Sequence, residues 1–240
     1  MNVKGLIVLV TGGAGNFGQA IVKSLESSGA SVVIMDLHEL NKENYYKVDL
    51  CNEQQVEETV NSILIKYNRI DVLINNAGAI YSEPLINIMN PKQMRHSYDS
   101  FKKYVQINLD TAFITSSIVI EKMVRKRIKG VIINMSSISA VGNAGQSAYS
   151  AAKAGLIALT KTWSKELGSF GIRSVAIAPG FIDTESTSFA LNDGIKKHLL
   201  KNTPLKKLGK VDDITKSILF AIENDFLNGT VIDVDGGLTI

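Results

Sequence analysis

Leu6-Ile7-Val8-Leu9-Val10 runs straight into Thr11-Gly12-Gly13-Ala14-Gly15-Asn16-Phe17-Gly18, after which Ala20, Ile21 and Leu25 return on one face of a helix. An unbroken apolar run, a glycine-rich turn and then helical periodicity describe a buried strand feeding a helix across a phosphate-binding turn. Gly12 permits the tight turn, Gly15 lets the backbone approach a pyrophosphate, and Gly18 lets the helix pack closely. Free N–H groups at the helix start, here around Asn16 and Phe17, add a favourable field for phosphate. The opening run is too short for a membrane span or the core of a signal peptide, and no later apolar stretch of span length is free of charges. The expectation is a cytoplasmic chain with no membrane partner.

Outward from this turn, short apolar runs alternate with helical stretches. Strands are expected at Leu6 to Val10, Ser31 to Met35, Tyr45 to Val48, Val72 to Ile74, Val131 to Met135, Ser174 to Ile177 and Val231 to Val234. Continuous rather than alternating apolarity marks strands covered on both faces, as in a parallel sheet. Asn52 with Gln55 reads as a capping box opening a helix through Tyr67. The pattern predicts a doubly wound α/β sheet with helices on both faces, its ligands bound at the carboxyl ends of the strands. With no linker, repeat or low-complexity tract, residues 1–240 read as a single domain.

Composition narrows the function classes. The 240 residues are 45% hydrophobic with only 4 Pro, which is ordinary for one globular core. A balance of 26 basic against 23 acidic residues is too even to argue for a nucleic-acid partner. Cys51, the single cysteine, has no disulfide partner in the chain and no neighbours that would form a metal cluster, so no metal is expected.

Asp36 ends the second strand. A carboxylate there can accept from both ribose hydroxyls of NAD and would repel the extra phosphate of NADP, which makes NAD the expected cofactor. Asn75-Asn76-Ala77-Gly78 follows the fourth strand, Asn108 precedes a long helix, Ser136-Ser137 closes the fifth strand, and Tyr149-Ser150-Ala151-Ala152-Lys153 opens the next helix. At i and i+4, Tyr149 and Lys153 share one helix face. An ammonium beside a phenol favours ionisation of the phenol, and a serine can hold a substrate oxygen while hydride moves.

Over essentially its whole length this set resembles the short-chain dehydrogenase/reductase family, the match being carried by the Thr-Gly turn, Asn-Asn-Ala-Gly, Asn108, the serine pair, Tyr-x-x-x-Lys and Pro179-Gly180. The resemblance implies a Rossmann-like fold with a seven-stranded parallel sheet, usually assembled as a homotetramer. It also implies roles. Tyr149 is the general acid/base, Ser137 polarises the carbonyl, Lys153 binds the nicotinamide ribose and tunes Tyr149, and Asn108 holds a water in the proton relay. Asp49 and Leu50 would lie by the adenine. Asn75, Ala77 and Gly78 would lie by the adenosine ribose and neighbouring cofactor, and Pro179, Gly180, Ile182 and Thr184 by the nicotinamide. The run from Gly142 to Gly155 looks most like 3-oxoacyl-[acyl-carrier-protein] reductases, which implies an acyl-thioester substrate and an acyl carrier protein as partner. Asp36 pulls against that group, whose biosynthetic members mostly use NADPH. The alternatives are an NAD-dependent dehydrogenase of a sugar, polyol or other secondary alcohol, a sugar-nucleotide epimerase or dehydratase, and a dinucleotide-binding protein without turnover.

Three features depart from the family pattern. Asn16 stands where a glycine is usual, and asparagine tolerates unusual backbone angles. The segment from Ser136 to Tyr149 is one residue short, so counting back from Tyr149 brings Ser136 into competition, while strand register favours Ser137. The stretch from Ala79 to Asn108 is long. It reads either as a lid, with Arg95 or His96 meeting an anionic group, or as a surface excursion or subunit contact. A substrate lid is expected at about 185–207, with Phe189, Leu191, Ile195, Leu199 and Leu200 as its apolar positions. Lys196, Lys197, Lys201, Lys206 and Lys207 give it a basic face that suits an acidic carrier protein, a phosphorylated substrate or plain solvent.

Overall fold

A computed structural model describes residues 1–184 and 193–240. Its centre is a sheet of seven parallel strands in the order β3-β2-β1-β4-β5-β6-β9. The strands are β1 (Ile7–Thr11), β2 (Ser31–Asp36), β3 (Tyr45–Lys47), β4 (Val72–Asn75), β5 (Gly130–Met135), β6 (Ile172–Pro179) and β9 (Val231–Val234). They match the expected runs, with ends moved by a residue or two. A second, two-stranded sheet pairs β7 (Ile182–Asp183) with β8 (Gly209–Lys210). Two residues per strand leave no periodicity to detect.

Side-chain alternation along each strand explains the two helical layers. Val8, Val10, Val32, Ile34, Val72, Ile74, Val131 and Ile133 face one way, onto Ile21, Val22 and Leu25 of α1 (Asn16–Ser27) and Ile214, Ile218 and Ile222 of the helix Val211–Glu223. Leu9, Val33, Met35, Leu73 and Ile132 face the other, onto α2 (Glu53–Tyr67), α4 (Thr111–Arg125) and α5 (Ser147–Leu167). The strands read as continuous apolar runs because both faces are covered. Asn52 caps α2 by accepting from Gln55 N at 3.1 Å. The return half of the expected capping box differs, since Gln55 Oε1 accepts from Asp49 N at 3.1 Å and ties the preceding turn instead.

Strand order reverses at β1 and β4, which lie side by side although β2 and β3 intervene in sequence. Crossovers leave these two strands in opposite directions, so a crevice opens above their carboxyl ends. The glycine turn and the Asn75–Gly78 loop form its walls. Gly18 is fixed by packing. A β-carbon there would lie 2.1 Å from Gly12 O and 2.6 Å from Gly13 Cα. Gly13, not singled out from sequence, is fixed by packing too, with Ile34 Cγ2 2.6 Å from where its β-carbon would stand. Gly15 differs from both. Its conformation is one any residue adopts, and its β-carbon would meet only Gly12 O at 3.8 Å.

Gly18→Ala is therefore expected to destabilise the fold by about 3 kcal/mol, because backbone rather than a movable side chain must give way. Gly15→Ala should stay within about 0.5 kcal/mol of wild type. Denaturant midpoints of the two variants check both values.

Candidate active site

The crevice is closed at its base by hydrogen bonds between the two loops. Asn76 Nδ2 donates to Gly12 O at 2.9 Å and to Thr11 O at 3.2 Å, while Thr11 Oγ1 accepts from Asn76 N and Ala77 N at 3.1 and 3.2 Å. Gly12 has φ +66°, and a β-carbon there would lie 2.7 Å from Ala77 Cα, so glycine serves both the turn and the close approach. Asn16 is the first residue of α1 and does not have positive φ. The tolerance invoked for it is not needed, because Gly12 carries the unusual angle. The α1 N-cap is Gly15, which has no side chain to cap the helix, and the first turn holds no acid. A helix start of this kind beside an open Gly15 fits a dinucleotide pyrophosphate. Buried Asp36 accepts from Ala14 N and His38 N, each at 2.9 Å, and lies 3.3 Å from His38 Nδ1. It thus clasps the glycine turn against β2, with its carboxylate at the mouth of the crevice.

Other expected cofactor residues divide. Asn75 is turned away from the crevice. Its Nδ2 donates to Ser116 Oγ and Asn134 Oδ1, both at 2.8 Å, and Asn134 Nδ2 donates on to Thr160 Oγ1 at 2.9 Å. This buried network ties β4, β5, α4 and α5 together, so the Asn75 side chain serves the scaffold. Leu50 packs into the core under α2 and offers no side chain to an adenine. Asp49 is exposed, and its carboxylate accepts from Cys51 N at 2.9 Å. Phe17 and Ile182 pack on the face shared with α1. Gly180 bonds Val234 O at 3.0 Å and approaches Asp235 so closely that a β-carbon would lie 2.7 Å from its Cα. Pro179 ends β6 beside it, and Thr184 follows β7. The family resemblance had named these positions without telling which side chains turn inward.

Tyr149, Ser137, Lys153 and Asn108 converge. The Ser137 hydroxyl stands close enough to Tyr149 to favour its ionised form, and its Oγ accepts from Ser139 N at 3.1 Å. Ser136 Oγ instead donates to Lys153 O at 2.9 Å, inside the protein. Adjacent strand-end residues face opposite ways, so only Ser137 meets the tyrosine. Lys153 Nζ lies 5.5 Å from the Tyr149 ring centre and donates to Met135 O at 2.7 Å. That carbonyl is its one hydrogen-bond acceptor among the described residues, so an ammonium with three donors keeps two open. Burial holds Lys153 down at about 8. Burial pushes the Tyr149 phenol up, with Ser137 pulling the other way. The sequence expectation that Lys153 would favour the ionised phenol is outweighed here by desolvation, which leaves Tyr149 a proton donor.

Asn108 sits in a π-helical turn, Gln106–Asp110, between α3 (Tyr98–Val105) and α4. Its Oδ1 accepts from Ala79 N at 3.1 Å, while Nδ2 donates to Ala79 O and Tyr104 O, each at 2.9 Å. The side chain is thus committed to the loop that carries Gly78, and a relay water would have to be met by the Asn108 main chain. Gly78 is where the parts meet. A β-carbon there would lie 2.6 Å from Asn108 Oδ1 and 3.4 Å from Lys153 Nζ. The π turn gives no periodicity signal, so sequence reading found Asn108 but not the kink that aims it.

The long stretch after β4 is pinned beside this centre. Glu83 N donates to Gly145 O at 2.7 Å, and Glu83 bridges to Gln146 just before α5. Tyr81 stacks on Tyr104 with ring centres 4.0 Å apart and donates to Glu83 Oε2 at 2.6 Å. His96 Nδ1 donates to Glu83 O at 3.0 Å, and its side chain is only 5% exposed. His96 therefore holds the excursion together instead of facing an anionic ligand. Arg95 is exposed near the tip of the excursion, where its backbone bridges to Ile86. Of the expected lid, Phe189 and Leu191 lie outside the described residues, as does the Ile195 side chain. Leu199 is buried in the helix Asp193–Asn202, and Leu200 is half-buried. Lys196, Lys197 and Lys201 of this helix are exposed, as are Lys206 and Lys207 beyond it.

Comparison with known proteins agrees with this geometry. The family model described as enoyl-(acyl carrier protein) reductase matches residues 12–239. A 3-oxoacyl-[acyl-carrier-protein] reductase of Thermotoga maritima is 34% identical over all of both chains. One from Chlamydia pneumoniae is 38% identical over 97% of this chain and 96% of its own. A sorbitol-6-phosphate 2-dehydrogenase of Klebsiella pneumoniae is 34% identical over 100% and 98%. Among solved structures, the crystal structure of gox2181 superimposes with a TM-score of 0.87 at 28% identity, covering 98% of this chain and 95% of that one. No helix among the described residues is long and apolar enough to cross a membrane.

Two expectations follow from the site. Ser137→Ala should lower kcat by about 100-fold or more, as loss of a donor to a developing oxyanion does, while Ser136→Ala should cost about 1 kcal/mol of stability and less than tenfold in rate. Steady-state kinetics with denaturation curves separate the two. Lys153 has a folded value depressed below its ordinary one, so the unfolded chain binds the extra proton between about pH 8 and pH 10.5 and stability rises with pH across that window. Wild type should gain about 3 kcal/mol at most over Lys153→Met between those limits, read from unfolding curves of the two proteins at each pH.

Proposed function

We propose that this chain, which belongs to the short-chain dehydrogenase/reductase family and is a nicotinamide-dependent oxidoreductase of CH–OH groups, works as a reductase of 3-oxoacyl thioesters. The observation that carries the reading is the junction of the Ser137 hydroxyl with the buried, protonated Tyr149 phenol beside Lys153. Full-length similarity to two 3-oxoacyl-[acyl-carrier-protein] reductases supports the substrate class.

Bound in the crevice, the reduced nicotinamide would supply hydride to the carbonyl carbon. Ser137 donates a hydrogen bond to the carbonyl oxygen and so favours the negative charge that gathers there. Tyr149, held neutral by burial, passes its phenolic proton to the same oxygen, and the product is a secondary alcohol. Lys153 offers its two open N–H groups to ribose hydroxyls and its positive charge to the tyrosinate left behind. Asn108 keeps Gly78 and Ala79 in place between these groups.

Asp36 sets the cofactor preference. A carboxylate at this strand end accepts from adenosine ribose hydroxyls and repels a 2′-phosphate, so NADH is preferred over NADPH. The exposed Lys196, Lys197 and Lys201 give the lid helix a face that suits an acidic acyl carrier protein. The same cations would suit a phosphorylated polyol, and the sorbitol-6-phosphate 2-dehydrogenase relative keeps that second reading open.

Purified protein should oxidise NADH with acetoacetyl-CoA, with a KM for NADH at least tenfold below that for NADPH. Tyr149→Phe should lose at least about 1000-fold in kcat yet bind NADH as wild type does, because the phenol acts on the proton and not on the cofactor. Turnover of sorbitol 6-phosphate with NAD, and none of acetoacetyl-CoA, would replace the first reading by the second.

A further inference from the structure

We propose that the excursion between β4 and α3 is an apolar platform for the acyl chain of the substrate, so that this chain favours medium and long 3-oxoacyl groups. The inference rests on the 3-oxoacyl reading above and adds where the acyl tail goes.

The excursion presents to solvent what a folded chain ordinarily hides. Ile80 is 71% exposed, Leu85 70%, Ile88 75% and Met89 87%, and Ile86 and Met94 are exposed as well. So many exposed large apolar side chains in one short stretch mark a place where something binds. Its base is ordered, not loose. Tyr81 is stacked on Tyr104, and Glu83 collects Tyr81 Oη and Ser97 N at 2.6 and 3.2 Å. The aliphatic side chains are held outward by a built support.

Continuity with the reaction centre names the occupant. Ile80 follows Ala79, both of whose backbone groups are held by Asn108. Glu83 lies against Gly145 and Gln146, three to four residues before Tyr149. Val141, 79% exposed, ends the turn that Ser137 opens. Along the chain, these exposed apolar residues lead outward from Ala79 at the reaction centre, with no carboxylate between Pro84 and Tyr98. An acyl tail leaving the carbonyl along that side meets Ile80 and Val141 first, then Leu85, Ile88 and Met89.

The test uses full-length protein and two unreactive probes, butyryl-CoA and dodecanoyl-CoA, titrated by calorimetry, with acetoacetyl-CoA turnover run alongside. A fully buried methylene contributes up to about fourfold in affinity. Wild type should bind dodecanoyl-CoA at least about 30-fold more tightly than butyryl-CoA, a fraction of that limit for a partly covered tail. Ile88→Ser with Met89→Ser should cut the ratio at least fivefold and leave butyryl-CoA affinity and acetoacetyl-CoA turnover unchanged. Phe226→Ser, at an apolar residue 99% exposed elsewhere on the surface, should leave the ratio intact. An unchanged ratio in the double variant overturns the proposal. So does a change in sedimentation behaviour with the ratio unchanged, which would assign the platform to a second copy of the chain. Absence of acetoacetyl-CoA turnover counts against the 3-oxoacyl reading itself, while the chain-length ratio still reports whether the platform holds an acyl tail.

Discussion

Lys153 is an ammonium with 4% of its surface exposed, and among the described residues one acceptor meets its three donors. Burying a charge so poorly paired is costly, and the fall of its pKa to about 8 expresses that cost. The surrounding structure is arranged to hold it there. Met135 O at the end of β5 anchors the ammonium, Ser136 bonds the carbonyl of the same lysine, and α5 brings Tyr149 one turn before it. On the proposed function, a cofactor ribose that accepts from the two open donors would relieve the imbalance.

Two buried polar systems make that arrangement rigid. Below the crevice, Asn75, Asn134, Ser116 and Thr160 join two strands to two helices. Above it, Asn108 grips the Ala79 peptide by both its N–H and its C=O. Buried hydrogen-bond networks of this kind fix one packing among several similar ones, although Asn75 Oδ1 finds no partner among the described residues. The distances between serine, tyrosine and lysine therefore follow from helix and strand positions rather than from mobile loops, which is what proton transfer in register with hydride transfer demands.

Much of this was legible in the residues. Continuous apolar runs separated by helical periods gave the seven strands, because strands covered on both faces lose the alternation that one-sided strands show. Gly12 and Gly18 carried the right reasons for their places, and the Tyr149–Lys153 spacing put both on one helix face. Other features were hidden for physical reasons. Gly13 is a glycine because of Ile34, a residue distant in sequence. The chemical difference between Ser136 and Ser137 is a matter of which side of a strand end each faces. Asn75 and Leu50 lie at the correct edge but turn into the core. His96, read as one of two residues that could meet an anionic group, is a buried brace, since its partner Glu83 is brought to it by a fold of the excursion that has no regular period.

The central claim is that the open donors of Lys153 hold the cofactor. Titration of NADH into wild type and Lys153→Met, followed by nicotinamide fluorescence, tests it directly. At least a tenfold loss of affinity in the variant is expected, with the fold intact by circular dichroism. Equal affinity in the two proteins would contradict the account.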